Sequence, residues 1–179
     1  KNHVLGLNAA SKFRAIYGKW ESDPKKGVWN QAAIVVSSRS TAHAEPSVDT
    51  GGLETGNGGA HYDFIIFDDI VAAENDMTKE QMDKVVECYK RALSLLRPGG
   101  EVLICGTRWH FGDLYGRIIA ENDEKQIFKI FIKPAIDEQG KYLFADIGAN
   151  SLTKEFLDRQ RIEQGSYTFS CLYQNSPVD

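Results

Sequence analysis

The chain has 179 residues, 42% hydrophobic and 26% charged, with 21 Lys+Arg set against 25 Asp+Glu for a formal net charge of −4. That length suits one domain of ~100–200 residues, and the apolar share is enough for a core, which argues against a disordered chain. The charge balance gives no global attraction to nucleic acid, and the basic residues Lys12, Arg14, Lys25 and Lys26 read as solvated surface.

The chain starts abruptly at Lys1-Asn2-His3 and stops equally abruptly at Ser176-Pro177-Val178-Asp179, as expected for the middle of a longer protein. No basic and apolar leader is visible at the start. The longest apolar runs, Phe64-Ile65-Ile66-Phe67 and Val102-Leu103-Ile104-Cys105, fall far short of the ~20 residues that cross a bilayer. Cys88, Cys105 and Cys171 show no close pairing and read as reduced, intracellular thiols.

In chain order, residues 32–36 are expected to form a first strand of the sheet. Residues 50–59 hold five glycines, at 51, 52, 56, 58 and 59, have no apolar period and are expected to be loop. Glycine loops can cradle phosphate, but no Lys-Ser or Lys-Thr follows here, and the stretch leads into a strand rather than a helix. A flexible lead-in is the preferred reading.

Residues 64–67 are continuously apolar, as in a strand covered on both faces. Thr78-Lys79-Glu80-Gln81 is a capping-box pattern, in which hydroxyl and amide each satisfy an orphan helix N–H. Met82, Val85, Val86, Tyr89, Leu93 and Leu96 then recur at helical spacing. Arg97-Pro98-Gly99-Gly100 stops that helix, because proline cannot continue the ladder and glycine accepts positive φ. A second covered strand follows over 102–105, so a right-handed βαβ crossover with parallel strands is expected. A short helix after Asp113, a strand over 127–132 joining the sheet, and a helix from Thr153 to Gln164 ending at Gly165 complete a three-layered α/β pattern.

The chemistry concentrates at two strand ends. Asp68 and Asp69 emerge where the 64–67 strand finishes, at the sheet edge where ligands bind in open α/β folds. Adjacent carboxylates there suit a Mg-nucleotide site, with Asp68 holding the metal and Asp69 orienting or deprotonating the attacking water. Such acids also cap helices or face solvent. Gly106-Thr107-Arg108-Trp109-His110 ends the second strand on the same edge. There Thr107 could sense a metal-bound phosphate, Arg108 could offer charge to a transition state, and His110 could bind a phosphate. The plainer roles are a turn for Thr107, a surface cation for Arg108, core for Trp109 and structure for His110.

The run His61-Tyr62-Asp63-Phe64-Ile65-Ile66-Phe67-Asp68-Asp69, then Gly106-Thr107-Arg108-Trp109-His110 and Asp113-Leu114-Tyr115-Gly116-Arg117, resembles the large terminase subunit of tailed bacteriophages and prophages. The resemblance extends to Trp29 and the strand after it, and to Glu45-Pro46-Ser47. Further on it takes in Lys133-Pro134-Ala135-Ile136 and the stretch from Phe169 through Tyr173-Gln174-Asn175-Ser176-Pro177.

It implies a three-layer, P-loop NTPase-like (RecA/ASCE-type), mainly parallel sheet that is incomplete here. Residues 1–176 would be the larger part of the ATPase domain, and 177–179 the start of a linker to an absent ribonuclease-H-like nuclease domain. It also implies a Walker B role for Asp68 and Asp69, with Mg2+ on Asp68, and a coupling role for Thr107 beside Arg108. The whole protein would be an ATP-driven, DNA-packaging hydrolase in the bacterial host cytoplasm, with endonuclease activity in the missing domain. Its partners would be double-stranded viral DNA, a small terminase subunit, a portal or procapsid and further copies of itself in a ring, with no membrane.

This sequence departs from the family in three ways, one being the nuclease domain that would begin just after Pro177 and is missing here. Asp69 stands where many relatives carry Glu, and no G-x-x-x-x-G-K-[ST] phosphate loop occurs in the 179 residues. The 179 residues alone are therefore expected to bind ATP poorly and to cleave nothing. The alternatives are a helicase-like ATPase, a degenerate assembly domain, or a two-metal nuclease using Asp63, Asp68 and Asp69 with Glu74, Asp76 or Asp113. Asp113 most simply caps the short helix that follows it.

Overall fold

The computed structural model describes residues 14–16, 18–20, 27–40, 43–52, 54, 59–72, 78–148 and 151–178. The expectations for Lys12, Lys25-Lys26, Glu74, Asp76 and the middle of the glycine-rich stretch lie outside these residues. The fold is mixed α/β. In order come β1 (Ala33–Ile34), β2 (Val48–Asp49), β3 (Tyr62–Asp68), α1 (Lys79–Leu93), β4 (Leu96–Cys105), α2 (Leu114–Lys125), α3 (Lys154–Gln164), α4 (Ser166–Phe169) and a π-helix, Ser170–Gln174. β1 pairs with β2, and β3 with β4. Among the described residues no helix is long and apolar enough to cross a membrane; Cys88 and Cys171 are buried and Cys105 is exposed.

β3 and β4 run parallel, as the strand–helix–strand order requires. The Tyr62 N–H donates to the Leu95 carbonyl (2.8 Å) and the Asp69 N–H to the Cys105 carbonyl (2.9 Å). Between those bonds β3 advances from 62 to 69 while β4 advances from 95 to 105, so β4 carries extra residues. Gly99 within β4 takes a left-handed φ of 81°, which glycine adopts at no steric cost.

The chain divides into two units, Lys1–Phe64 with Arg91–Glu101, and Ile65–Lys90 with Val102–Asp179. In the first, the Asn30 carboxamide accepts from the N–H groups of Ala32 and Ala33 (2.8 and 2.9 Å) and starts β1. β1 runs antiparallel to β2, with Ala33 opposite Asp49 and Ile34 opposite Val48. This corrects the expectation that 32–36 joins the parallel sheet. Val35 N–H is taken by the Val28 carbonyl (2.8 Å) and Val36 N–H by Ser47 Oγ (3.1 Å), so local partners consume the ladder positions.

Arg97 pairs with Asp63 (3.1 Å) and lies 3.7 Å from Glu45, whose Oε1 accepts the His61 N–H (3.0 Å). The backbone N–H of Glu45 itself and that of His61 hold the Glu45 carboxyl below its usual range, with the Arg97 charge adding to them.

In the second unit, α1 covers one face of the strand ends. Phe67 is buried and meets Tyr89 edge-on, ring centroids 5.0 Å apart. The opposite face is open: Ile66 is 56% exposed and Leu103 45%. Among the described residues these strand ends are covered on one face, where the unbroken apolar runs suggest two.

The capping box forms as expected, Thr78 N–H to Gln81 Oε1 (3.0 Å) and Gln81 N–H to Thr78 Oγ1 (3.2 Å). The helix stops at Leu93 rather than running to Leu96. Ser94 Oγ and N–H both bond the Arg91 carbonyl (2.6 and 3.1 Å), closing the last turn. Arg97-Pro98-Gly99-Gly100 accordingly belongs to β4 instead of following a longer helix.

The segment 127–132 forms no strand, a second correction. The Asn122 carboxamide grips both backbone groups of Phe128, donating to its carbonyl (3.0 Å) and accepting its N–H (2.7 Å). Further on, α3 is capped by Thr153 Oγ1 (3.2 Å to Phe156 N) and ends at left-handed Gly165 (φ 82°), as read from the sequence. Leu157, Phe169 and Ala135 form a buried cluster, with Ile136, Tyr142, Leu152 and Tyr173 packed on it.

Candidate functional site

β3 ends in Asp68, and Asp69 follows with φ 49°. Aspartate tolerates this left-handed geometry better than glutamate, because its short polar side chain bonds locally. Both carboxylates are exposed. The Asp69 N–H bond to the Cys105 carbonyl (2.9 Å) ties this end to the end of β4, so Gly106 and half-buried Thr107 leave the sheet from the same edge.

Tyr115, on the first turn of α2, braces that junction and is the residue sequence reasoning missed. Its hydroxyl donates to the Cys105 carbonyl (3.3 Å), and a Cβ on Gly106 would stand 2.0 Å from the phenol oxygen. Glycine at 106 is thus set by close approach. Burial pushes the Tyr115 phenol up to about 12. Backbone groups of Val71 and Ile70 act on it in the opposite sense, and the negative charges of Asp69 and Asp113 reinforce the rise. One hydroxyl therefore senses the chain after β3 and the chain after β4. The signal available in the sequence was a glycine at a strand end followed by an aromatic one helix-turn into the next element.

The loop after Thr107 is held from several sides. Asp113 is fully buried and accepts N–H bonds from Trp109 (2.9 Å), His110 (3.2 Å) and Gly116 (2.6 Å), which fulfils its expected capping role. Arg117 donates to the Gly112 carbonyl (2.8 Å) and pairs with Asp83 of α1 (2.7 Å). His110 Nδ1 accepts the Gly112 N–H (2.9 Å), the structural role weighed for it.

Arg108 is half-buried, and its Nε is enclosed without an acceptor. Its guanidinium lies near Gly116, where a Cβ would stand 3.3 Å from Arg108 Nη2 and 2.0 Å from the Phe111 carbonyl oxygen. An enclosed guanidinium donor with no acceptor is costly to keep.

Among the described residues no group of three or more His, Cys, Asp and Glu side chains could hold a metal. That pattern does not suit an all-protein cage. Mg2+ is commonly held in another way, by one or two carboxylates together with several waters and substrate phosphates. Of the acids considered for a two-metal site, Asp113 is spent on three backbone donors and Asp63 is paired with Arg97. No protein-family model matches the chain, and no curated protein matches it significantly.

Proposed function

We propose that the Asp68–Asp69 edge is the Walker B side of a P-loop NTPase-like, three-layer ATPase domain, part of a DNA-packaging motor of the terminase large-subunit kind. The observation that carries this reading is the bond from the Asp69 N–H to the Cys105 carbonyl (2.9 Å). It sets consecutive carboxylates and Gly106-Thr107 at the carboxyl ends of two parallel strands, where α/β folds bind ligands.

In this reading Asp68 holds Mg2+, which neutralises phosphate charge when bound. Asp69 orients and deprotonates the attacking water, Thr107 senses the terminal phosphate, and Arg108 supplies positive charge. The reading requires a phosphate loop from sequence outside the 179 residues and a nuclease domain for DNA cutting. Its partners are double-stranded viral DNA, a small terminase subunit, a portal and further copies of the chain in a ring, in the cytoplasm of a bacterial host.

The test is made in the full-length protein. Asp69→Asn abolishes ATP hydrolysis while sparing nucleotide binding, and Thr107→Ala impairs packaging more than it impairs binding. Near-normal turnover in Asp69→Asn removes Asp69 as the base. Absence of a phosphate-loop motif in the coding sequence upstream of Lys1 favours a degenerate assembly domain instead.

A further inference from the structure

The peptide groups of Trp109 connect the candidate catalytic loop to the C-terminal helices of the same unit. Its carbonyl accepts the Tyr167 hydroxyl from α4 and lies 3.7 Å from the Cys171 thiol of the π-helix. Its N–H donates to Asp113 Oδ2 (2.9 Å), at the cap of α2. The residue one step past Arg108 is thus gripped on one side by the start of α2 and on the other by α4 and the π-helix. These donors lie 58 and 62 residues from Trp109 in the chain.

Tyr167 and Cys171 are four residues apart, on adjacent turns where the chain passes from α4 into the π-helix. Such wide turns are uncommon and gather at functional places. The helices behind them form a firm base: Phe169 stacks on Tyr173 with centroids 5.0 Å apart, has the Arg161 guanidinium over its ring at 4.6 Å from the centroid, and is 1% exposed. Cys171 is wholly buried. A shift of this base must either move the Trp109 carbonyl or break its bonds.

We propose that Tyr167 and Cys171 are positioning residues that set the Thr107–Arg108 loop through the Trp109 carbonyl, making α4 and the π-helix the element that couples the site to the C-terminal part of the chain. The catalytic half of this inference rests on the ATPase reading, whereas the mechanical half does not. Tyr167 and Cys171 act through Trp109 and touch no reacting group.

Two measurements test it, on the whole chain and on the full-length protein. In amide NMR spectra of the chain, Tyr167→Phe moves the Thr107 and Arg108 resonances, and Tyr167→Phe/Cys171→Ala moves them further. Ile162→Ala, at an 83% exposed position of α3, leaves them in place. In the full-length protein Tyr167→Phe lowers kcat for ATP by ~3- to 10-fold, the loss of one neutral hydrogen bond, with KM unchanged. A purely structural role would lower the melting midpoint and leave kcat alone.

Resonances of Thr107 and Arg108 that stay fixed in the double variant overturn the tie. A wild-type kcat in Tyr167→Phe overturns the positioning role. A full-length protein with no ATP turnover refutes the ATPase reading and with it the catalytic half, while the resonances still decide the mechanical half.

Discussion

Gly106 and Tyr115 occupy space that admits no side chain between them: a Cβ at 106 would lie 2.0 Å from the Tyr115 hydroxyl oxygen and 2.4 Å from the ring carbon that bears it. The contact locks the exit of β4 onto the first turn of α2. The same hydroxyl bonds the Cys105 carbonyl, which in turn receives the Asp69 N–H. The two strand ends that carry Asp69 and Thr107 are therefore held by one buried phenol.

Gly106→Ala forces that buried ring to shift. Overpacking of this kind costs ~1–3 kcal/mol, occasionally more. Urea unfolding should show a lower midpoint for Gly106→Ala at unchanged slope. Gly106→Ala should cost markedly less in a Tyr115→Ala background, because residues in contact are not additive. Equal costs in the two backgrounds would mean that the ring is not what excludes the methyl group.

Tyr115 makes stability sensitive to alkaline pH. Its phenol is raised to about 12 by burial, against an ordinary value of ~10. The folded state therefore holds the proton more tightly than the unfolded state does. This contribution is complete below pH ~10 and is lost as the pH rises through about 12. The difference in unfolding free energy between wild type and Tyr115→Phe should shrink or reverse over that interval. A difference constant from pH 8 to 12 contradicts the assignment.

Asp113 satisfies three backbone donors from a position with no solvent exposure. Asp113→Ala leaves those N–H groups unpaired, at ~1–3 kcal/mol for a buried orphan in addition to the lost cap. Asp113→Asn keeps one acceptor oxygen and should fall between. Hydrogen exchange should report the loss locally, with faster exchange at Trp109, His110 and Gly116 in Asp113→Ala. Unchanged exchange there would place the cap elsewhere.

The parts of this structure legible in the sequence are those fixed by local chemistry. The Thr78/Gln81 box, the Asp113 and Thr153 caps and the Gly165 stop each depend on residues within a turn of one another, and each forms. The parallel pairing of β3 with β4 followed from the strand–helix–strand order.

What depended on distant partners was not legible. Residues 127–132 have strand composition, but the Asn122 side chain occupies the Phe128 backbone. Continuous apolar character at 64–67 and 102–105 suggested two covered faces, yet apolar composition alone does not say whether a second layer is present, and Ile66 and Leu103 are exposed. Likewise Asp68, Asp69 and Thr107 were found as strand-end residues, whereas Tyr115, which braces the ends that carry Asp69 and Thr107, sits in a helix whose pattern alone marks it as core.

The central claim, that Asp68 holds a single cation with a nucleotide at this edge, is tested most directly by titrating the full-length protein with Mn2+ in the presence of ATP. Counting bound ions by electron paramagnetic resonance should give one Mn2+ per chain, weakened at least tenfold by Asp68→Asn and left unchanged by Asp63→Asn. Two ions per chain, or a single ion indifferent to Asp68→Asn, contradicts the account.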